Sequence, residues 1–406
     1  MAKKLSSAIG VDLGSRYIKV AEVKLQGRQP VVTALGIAET PEGAVDHMGV
    51  HDPKAVGAVL KQLMASSGCS SGDVVLSLSG QGSVLVRTLE VPTMNDGELK
   101  QHMDWEITRN IPFSESTVVS DYKAFPPDSP SAQNMDVVMA IAPQSVVDMM
   151  VDLIKTSGKK AGAFDVEPLG LARCLKVGYD SELAGKTVCV VEVGHKTTAI
   201  NIYKDGRLLM PRQVPVGGEM LTRSLADGLG LSIADAEALK VSRASIPNSA
   251  TQPDTAAPTQ AFNAYNPFAE SAPAAYNPFA PEGDVAPAAP ADVPAPVSSA
   301  PTEDPEVLRI YSAMAPVIEE LMQEVRRSVD YFRSKGGDVD DILLTGGGCK
   351  LKGLDRYLAT MLGVNTRLMD PLQGVTVSAR KADPAMIDQT RQDFVVAVGN
   401  GLHVAF

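Results

Sequence analysis

Asp12, Gly14 and Ser15 lie in AIGVDLGSRYIKVAEV (8–23), where a short apolar run ends in a carboxylate and a glycine and a second run follows at once. Glu192 and Gly194 repeat the pattern 180 residues later (192 − 12), in VCVVEVGHKTTAINIYKDG from Val188. Each copy has an apolar strand before the acid-x-Gly core and an alternating strand after it. A glycine in a tight hairpin leaves backbone N–H groups bare and lets an anion approach closely. Two such hairpins facing each other can grip a polyphosphate from both sides. A carboxylate beside that charge makes sense with a divalent cation between them, and Mg²⁺ held through water suits Asp12. Asp12 and Glu192 are the candidate catalytic acids. A third stretch, ILLTGGGCKLKGL (342–354), sets Gly346, Gly347 and Gly348 at the end of a buried strand. Bare backbone at a strand end is a place to rest a flat ring or a ribose. The G-x-x-x-x-G-K-[ST] phosphate loop is absent from the sequence.

These stretches need strands to carry them and helices to cover the strands. GDVVLSLSG, SVLVRTLEV, DVVMAIAP, KTVCVVEVG, TAINIYKDG and DILLTGGG read as strands. DPKAVGAVLKQLMASSG, NDGELKQHMDWEITRNI, QSVVDMMVDLIKTSG, GGEMLTRSLADGLG and MAPVIEELMQEVRRSVDYFRS read as helices. The last keeps Ile318, Leu321, Met322, Val325, Val329 and Phe332 on one face. Asn95-Asp96 followed by Glu98-Leu99 signals the start of the helix that holds Trp105. The class is α/β.

The 406 residues exceed one simple core and predict two lobes. The net charge of −11 argues against nucleic acid as a partner. Cys69, Cys174, Cys189 and Cys349 form no C-x-x-C pair, so reduced thiols in a cytoplasm are expected, not a disulfide framework. No signal peptide and no run long enough to span a membrane is present. Residues 247–305 hold 13 of the 28 prolines, seven acids and no Lys or Arg. This composition predicts disorder, within an insert bounded at about 244–305. AYNPFA occurs there twice, at 264–269 and 275–280, either as anchors for a partner or as neutral repeats.

The three glycine-bearing stretches, in this order, resemble the actin-like ATPase superfamily, which includes actin, the heat-shock chaperones, sugar kinases and FtsA. FDVEPLGLARCL (164–175) is similar to its first hinge helix. FVVAVGNGL (394–402) is similar to the second, with Ala397 and Gly399 permitting close helix contact. VRTLEVPTMNDGELKQHMDWEITRNIPF (86–113), PVGGEMLTRSLADGLGLSIADAEALK (215–240) and EVRRSVDYF (324–332) narrow the resemblance to the PilM family of type IV pilus assembly proteins. It implies duplicated ribonuclease H-like domains. The first lobe would be 1–180, with an extra subdomain at about 84–165. The second would be 181–406, with a final helix at about 391–402 returning to the hinge.

The resemblance further implies an ATP-binding cytoplasmic scaffold with Mg²⁺. Asp12 would hold the metal shell, Gly14 and Ser15 the phosphate, and Gly194 and Thr197 the second loop. Lys19 would either approach phosphate or stand exposed on its strand. The amides of Gly217 and Gly218, at a helix start, would face phosphate or simply begin the helix. Glu324, Arg327 and Ser328 share a helical face that flanks adenosine in the chaperones; a surface ion pair with a polar stripe is the other reading. Gly346, Gly347 and Gly348 would lie near adenine. His195 and Lys196 depart from the family pattern at the second tip, where small residues are usual. Glu192 replaces the commoner aspartate. A carboxylate misplaced by ~1 Å can cost ~10²-fold in rate, so binding with weak or no hydrolysis is expected.

The implied partner is the cytoplasmic N-terminal tail of a PilN-like inner-membrane protein, held in a groove beside the subdomain, with other pilus assembly proteins and a homo-oligomer as further possibilities. Trp105, Ile111, Pro112 and Phe113 lie in that subdomain and are expected mainly in its core. The membrane would be reached through the partner, since the sequence ends at GLHVAF without an FtsA-like amphipathic helix. A small-molecule kinase and an FtsA-like filament-forming ATPase are the alternative readings.

Overall fold

The computed structural model describes residues 5–114, 117–126, 133–251 and 304–406. Along the first half run β1 (Ser7–Leu13), β2 (Tyr17–Gln26), β3 (Gln29–Glu39), α1 (Pro53–Ser67), β4 (Asp73–Leu78), β5 (Leu85–Pro92), α2 (Asp96–Arg109), β6 (Val118–Ala124), β7 (Asn134–Pro143), α3 (Gln144–Thr156), β8 (Lys160–Val166) and α4 (Glu167–Gly178). The second half continues with β9 (Thr187–Val193), β10 (Thr198–Lys204), β11 (Arg207–Val214), α5 (Gly218–Leu229), α6 (Ile233–Arg243), α7 (Pro305–Ser334), β12 (Asp341–Thr345), α8 (Leu354–Leu362), β13 (Asn365–Leu368), β14 (Thr376–Val377), α9 (Pro384–Thr390) and α10 (Val395–Gly401).

The duplication seen in the sequence is a duplication of topology. One sheet runs β14-β3-β2-β1-β4-β8 and the other β11-β10-β9-β12-β13. In both, an antiparallel three-strand meander is followed by a strand parallel to its first member, β4 beside β1 and β12 beside β9. The inner strands are buried on both faces, hence their near-continuous apolar runs. This is the two-lobed α/β fold expected.

Strand β14 pairs with β3, and α10 packs on β1, so the chain's last part returns to the first lobe's sheet. Strand β8 pairs with β4 and α3 packs on α1, so both belong to the first lobe, and the extra subdomain is the sheet β5-β7-β6 with α2. Its core is Val91, Leu99, Met103, Ile107, Met135, Val137, Met139 and Ile141. Ala244 and Ile246, at the expected start of the insert, are buried in the second lobe, and Ser245 bridges to Lys352. The AYNPFA repeats lie outside the described residues.

Helix α2 begins as its sequence signalled. The Asn95 side chain accepts from the amides of Gly97 and Glu98, each at 3.0 Å, and Glu98 reaches back to the Asn95 amide. Trp105, expected in the core, is 55% exposed. The buried residues of α2 are Leu99, Met103, Glu106 and Ile107, and position 105 falls on the opposite face. Arg109 stacks over its ring at 4.5 Å. Ile111 and Phe113 pack partly buried against the subdomain core.

The lobes meet on helices α4 and α10. Gly399 lies so close to α4 that a Cβ there would sit 2.2 Å from the Gly170 carbonyl oxygen. Leu171 and Leu175 of α4 and Val395 to Val398 of α10 share one core with Ala8, Ala21 and Leu35 of the first lobe and Val188, Val190 and Leu343 of the second. The subdomain also touches the second lobe, where Thr88 Oγ1 donates to the Leu209 carbonyl at 2.8 Å. No helix among the described residues is long and apolar enough to cross a membrane.

Candidate functional site between the two hairpins

Both hairpins close in the same way. The Gly14 amide donates to the Tyr17 carbonyl at 3.1 Å and the Gly194 amide to the Thr197 carbonyl at 2.9 Å. A Cβ at either glycine would meet that same carbonyl, at 2.8 and 2.7 Å, so the turn can be this tight only without a side chain. Neither glycine amide therefore points out of its turn. The amides of Ser15, Arg16, His195 and Lys196 take no backbone acceptor among the described residues, and these tips are the bare backbone of the site. The equivalent tip residues meet: Ser15 Oγ and His195 Nδ1 are 3.2 Å apart.

Behind the tips stand the acids. Asp12 lies opposite Lys19 in the register and pairs with it at 2.8 Å. Lys19 is nearly buried, which removes the reading of an exposed strand lysine. Burial works against its ammonium, but Asp12, aided by Asp393 and Glu192, raises its pKa. Glu192 lies opposite Ala199, with no cation in the matching place. Burial first, and then the charge of Glu167 close by, pushes the Glu192 carboxyl well above the ordinary carboxylate range. Its Oε2 is buried without a hydrogen-bond partner. Glu167, the first residue of α4, is raised by burial and by Asp12.

Gly346, Gly347 and Gly348 lie beside the end of β9. Gly346 has φ +81°, and Cβ atoms at Gly346 and Gly348 would strike Val193, while one at Gly347 would lie 2.8 Å from Asp393 Oδ1. Asp393 is ion-paired with Lys350. The site thus gathers at the ends of β1, β9 and β12, between the lobes.

Other expected residues are placed differently. The Gly218 amide donates to the Gly194 carbonyl at 3.0 Å, so it does not face the gap between the hairpins. A Cβ at Gly217 would lie 2.5 Å from the His195 carbonyl, so this glycine serves the packing of α5 under the second hairpin. Thr197 Oγ1 accepts from Gln213 at 3.4 Å. Glu324, Arg327 and Ser328 do come together, but around Arg212 of β11. Arg212 pairs with Glu324 and donates to Ser328 Oγ at 2.7 Å, while Arg327, largely exposed, pairs with Glu324. This is the ion-pair reading of that face.

Sequence reasoning gave no role to Arg16, Glu167, Arg212 or Asp393. Arg16 and Lys196 occupy equivalent tip positions, a signal present in the aligned repeats. The other three act across elements, and no spacing along the chain announces them.

The sequence matches the family described as "Type IV pilus assembly protein PilM" over residues 10–253, more than half of the chain. The chain belongs to the PilM family. Residues 189–387 also match the cell division protein FtsA family. Among curated relatives of this PilM-family chain, FtsA of Escherichia coli K12 is 23% identical over 258 residues, covering 57% of this chain and 59% of that protein. FtsA of Rhizobium meliloti is 28% identical over 198 residues, covering 48% and 37%. The chain spans about three-fifths or less of the length of these relatives. The solved structure titled "PilM-PilN type IV pilus biogenesis complex" covers 100% of both chains with a TM-score of 0.75 at 24% identity, a likeness that shows the PilM fold.

Proposed function

We propose that this chain binds ATP with Mg²⁺ between its two hairpins and serves as a nucleotide-stabilised cytoplasmic scaffold in type IV pilus assembly. The observation that carries the nucleotide reading is the meeting of the duplicated tips, Ser15 against His195 at 3.2 Å, over two turns of the same geometry. The residues fit the ligands. The bare amides of 15–16 and 195–196 and the side chains of Arg16 and Lys196 suit phosphate. Asp12 and the unpartnered Glu192 Oε2 supply the oxygen donors a hard cation prefers, and Asp12 is the residue assigned to hold Mg²⁺ through water. The cation, when bound, neutralises phosphate charge. Lys19 holds Asp12 in place, and the glycine turn at 346–348 offers bare backbone for the base.

The test loads the purified chain with labelled Mg-ATP, removes the excess and follows what stays bound. Intact ATP is expected to persist for hours. Asp12→Ala removes a charged contact and leaves Lys19 without its partner, so affinity should fall about ten- to a hundredfold. Rapid turnover would instead favour an ATPase motor or a small-molecule kinase. No retention would overturn the site.

The partner reading rests on membership of the PilM family and on the likeness to the PilM-PilN complex, whose title pairs the two proteins. We infer that a PilN-like inner-membrane protein places its cytoplasmic tail beside the β5-β7-β6 subdomain, and so tethers the scaffold to the membrane. Trp105 is the chain's one tryptophan and is exposed on that subdomain, as an aromatic anchor must be. Titration with a peptide of that tail should shift Trp105 emission to shorter wavelength; unchanged emission with measurable binding would move the groove away from α2.

A further inference from the structure

We propose that His195 is a phosphate-contacting residue and that it takes up a proton when nucleotide binds. The inference rests on the nucleotide reading above and deepens it.

Three observations place the imidazole where phosphate must lie. It occupies the second tip at the position equivalent to Ser15, and the two side chains share a hydrogen bond across the gap. Its backbone is fixed, because the His195 carbonyl accepts from the Glu219 amide at 2.8 Å and lies against Gly217. The ring therefore can exchange partners without moving the hairpin. The neighbouring amides are bare, so an anion seated on them comes within reach of the ring.

The surrounding charges set the protonation state. Arg16 approaches from the β1–β2 turn, Lys196 follows in the same loop, Glu219 faces it from α5, and Glu237 and Lys240 face it from α6. Both acids are already engaged, Glu219 with Arg223 at 2.9 Å and Glu237 with Lys240 at 2.8 Å. Burial, with Arg16 and Lys240, outweighs them and holds the His195 pKa below the ordinary histidine value. The ring is thus neutral at neutral pH in the free protein. Phosphate placed against it supplies the missing negative charge and favours the charged form. A proton from the buffer then adds to the free ring nitrogen, the Ser15 bond gives way, and both ring nitrogens become donors.

The sign follows. The pKa in the bound state exceeds that in the free state, so the added affinity is fully present below the free pKa. It is lost as pH rises through the bound pKa.

The test is calorimetric titration of the full chain with Mg-ADP at pH 7.5, in two buffers that differ in ionisation enthalpy. The expected result is net proton uptake by the native chain and none by His195→Asn, which keeps a polar contact to Ser15 but cannot charge. Gly72→Ala, whose methyl meets nothing within 4 Å, should keep the uptake. The affinity of the native chain should also fall between pH 6 and 8, roughly tenfold for each unit by which the two pKa values differ; this arm needs no variant to fold. Binding without uptake, uptake unchanged in His195→Asn, or pH-independent affinity would overturn the role of His195 and leave the nucleotide reading standing. No heat and no retention of Mg-ADP in any buffer would overturn both.

Discussion

Gly10→Ala should unfold the chain at a much lower urea concentration than the native protein, a loss of about 3 kcal/mol or more. Gly10 sits mid-strand in β1 with ordinary backbone, and its need for glycine comes wholly from packing. A methyl there would lie 1.9 Å from the Ala397 carbonyl oxygen and 2.3 Å from the Gly401 amide nitrogen. Both are backbone atoms of α10, which cannot rotate aside as a side chain can. The helix must lift from β1, and with it goes the contact of Gly399 on Gly170 that joins α10 to α4. Asn400 would move too, and it holds the Val11 carbonyl at 2.9 Å, next to Asp12, and Ser77 Oγ at 2.8 Å. Gly72→Ala is the control, since a methyl there meets nothing within 4 Å. Equal midpoints for the two variants would refute the packing argument.

Glu22→Ala is expected to cost about 2–4 kcal/mol, measured by the same unfolding experiment. Glu22 is 1% exposed, yet its carboxylate is saturated. It accepts from the Ser71 amide and from Thr33 Oγ1, each at 2.8 Å, and from the Ser70 amide, with Lys24 Nζ at 3.0 Å. Truncation strands these donors at the start of β4. Burial alone would raise this carboxyl's pKa, but the Ser71 amide, Thr33, Lys24 and the Ser70 amide together bring it below the ordinary carboxylate value. The sign is that of a depressed acid. Its stabilisation is present above the unfolded pKa, near 4.3, and drains away as pH falls through the lower folded value. The native chain should therefore lose stability over that acid range more steeply than Glu22→Ala. Parallel acid profiles would show that Glu22 is not held as an anion.

Much of the fold was legible because its inner strands are buried on both faces and its helices keep one apolar face. β1, β4, β9 and β12 announce themselves as continuous apolar runs. β6, β8, β11 and β13 do not, since they are half-exposed edge or outer strands whose mixed residues fit no single period. The repeat was the most informative signal, because it fixed two hairpins before any contact was known. Its pairings across space stayed hidden. Ser15 meets His195 only once the lobes face each other, and Glu167 meets Glu192 only once α4 and β9 share one core. Trp105 misled because a large aromatic suggests a core. Leu99, Met103 and Ile107 share the other side of the helix, and the core lies there.

The matching hairpins differ in what faces the acid, Lys19 opposite Asp12 against Ala199 opposite Glu192. The two backbones take the same turn, but the fields around them differ. One acid is a carboxylate balanced by an ammonium. The other has its carboxyl pushed well above the ordinary range by burial and a second acid. On the proposed nucleotide reading, a chain of phosphates between them would meet a gradient, and only one of its two senses would set the more negative end toward the ammonium. One repeated turn would thus make a cradle with two alike walls, and the charge facing its acids would give it direction.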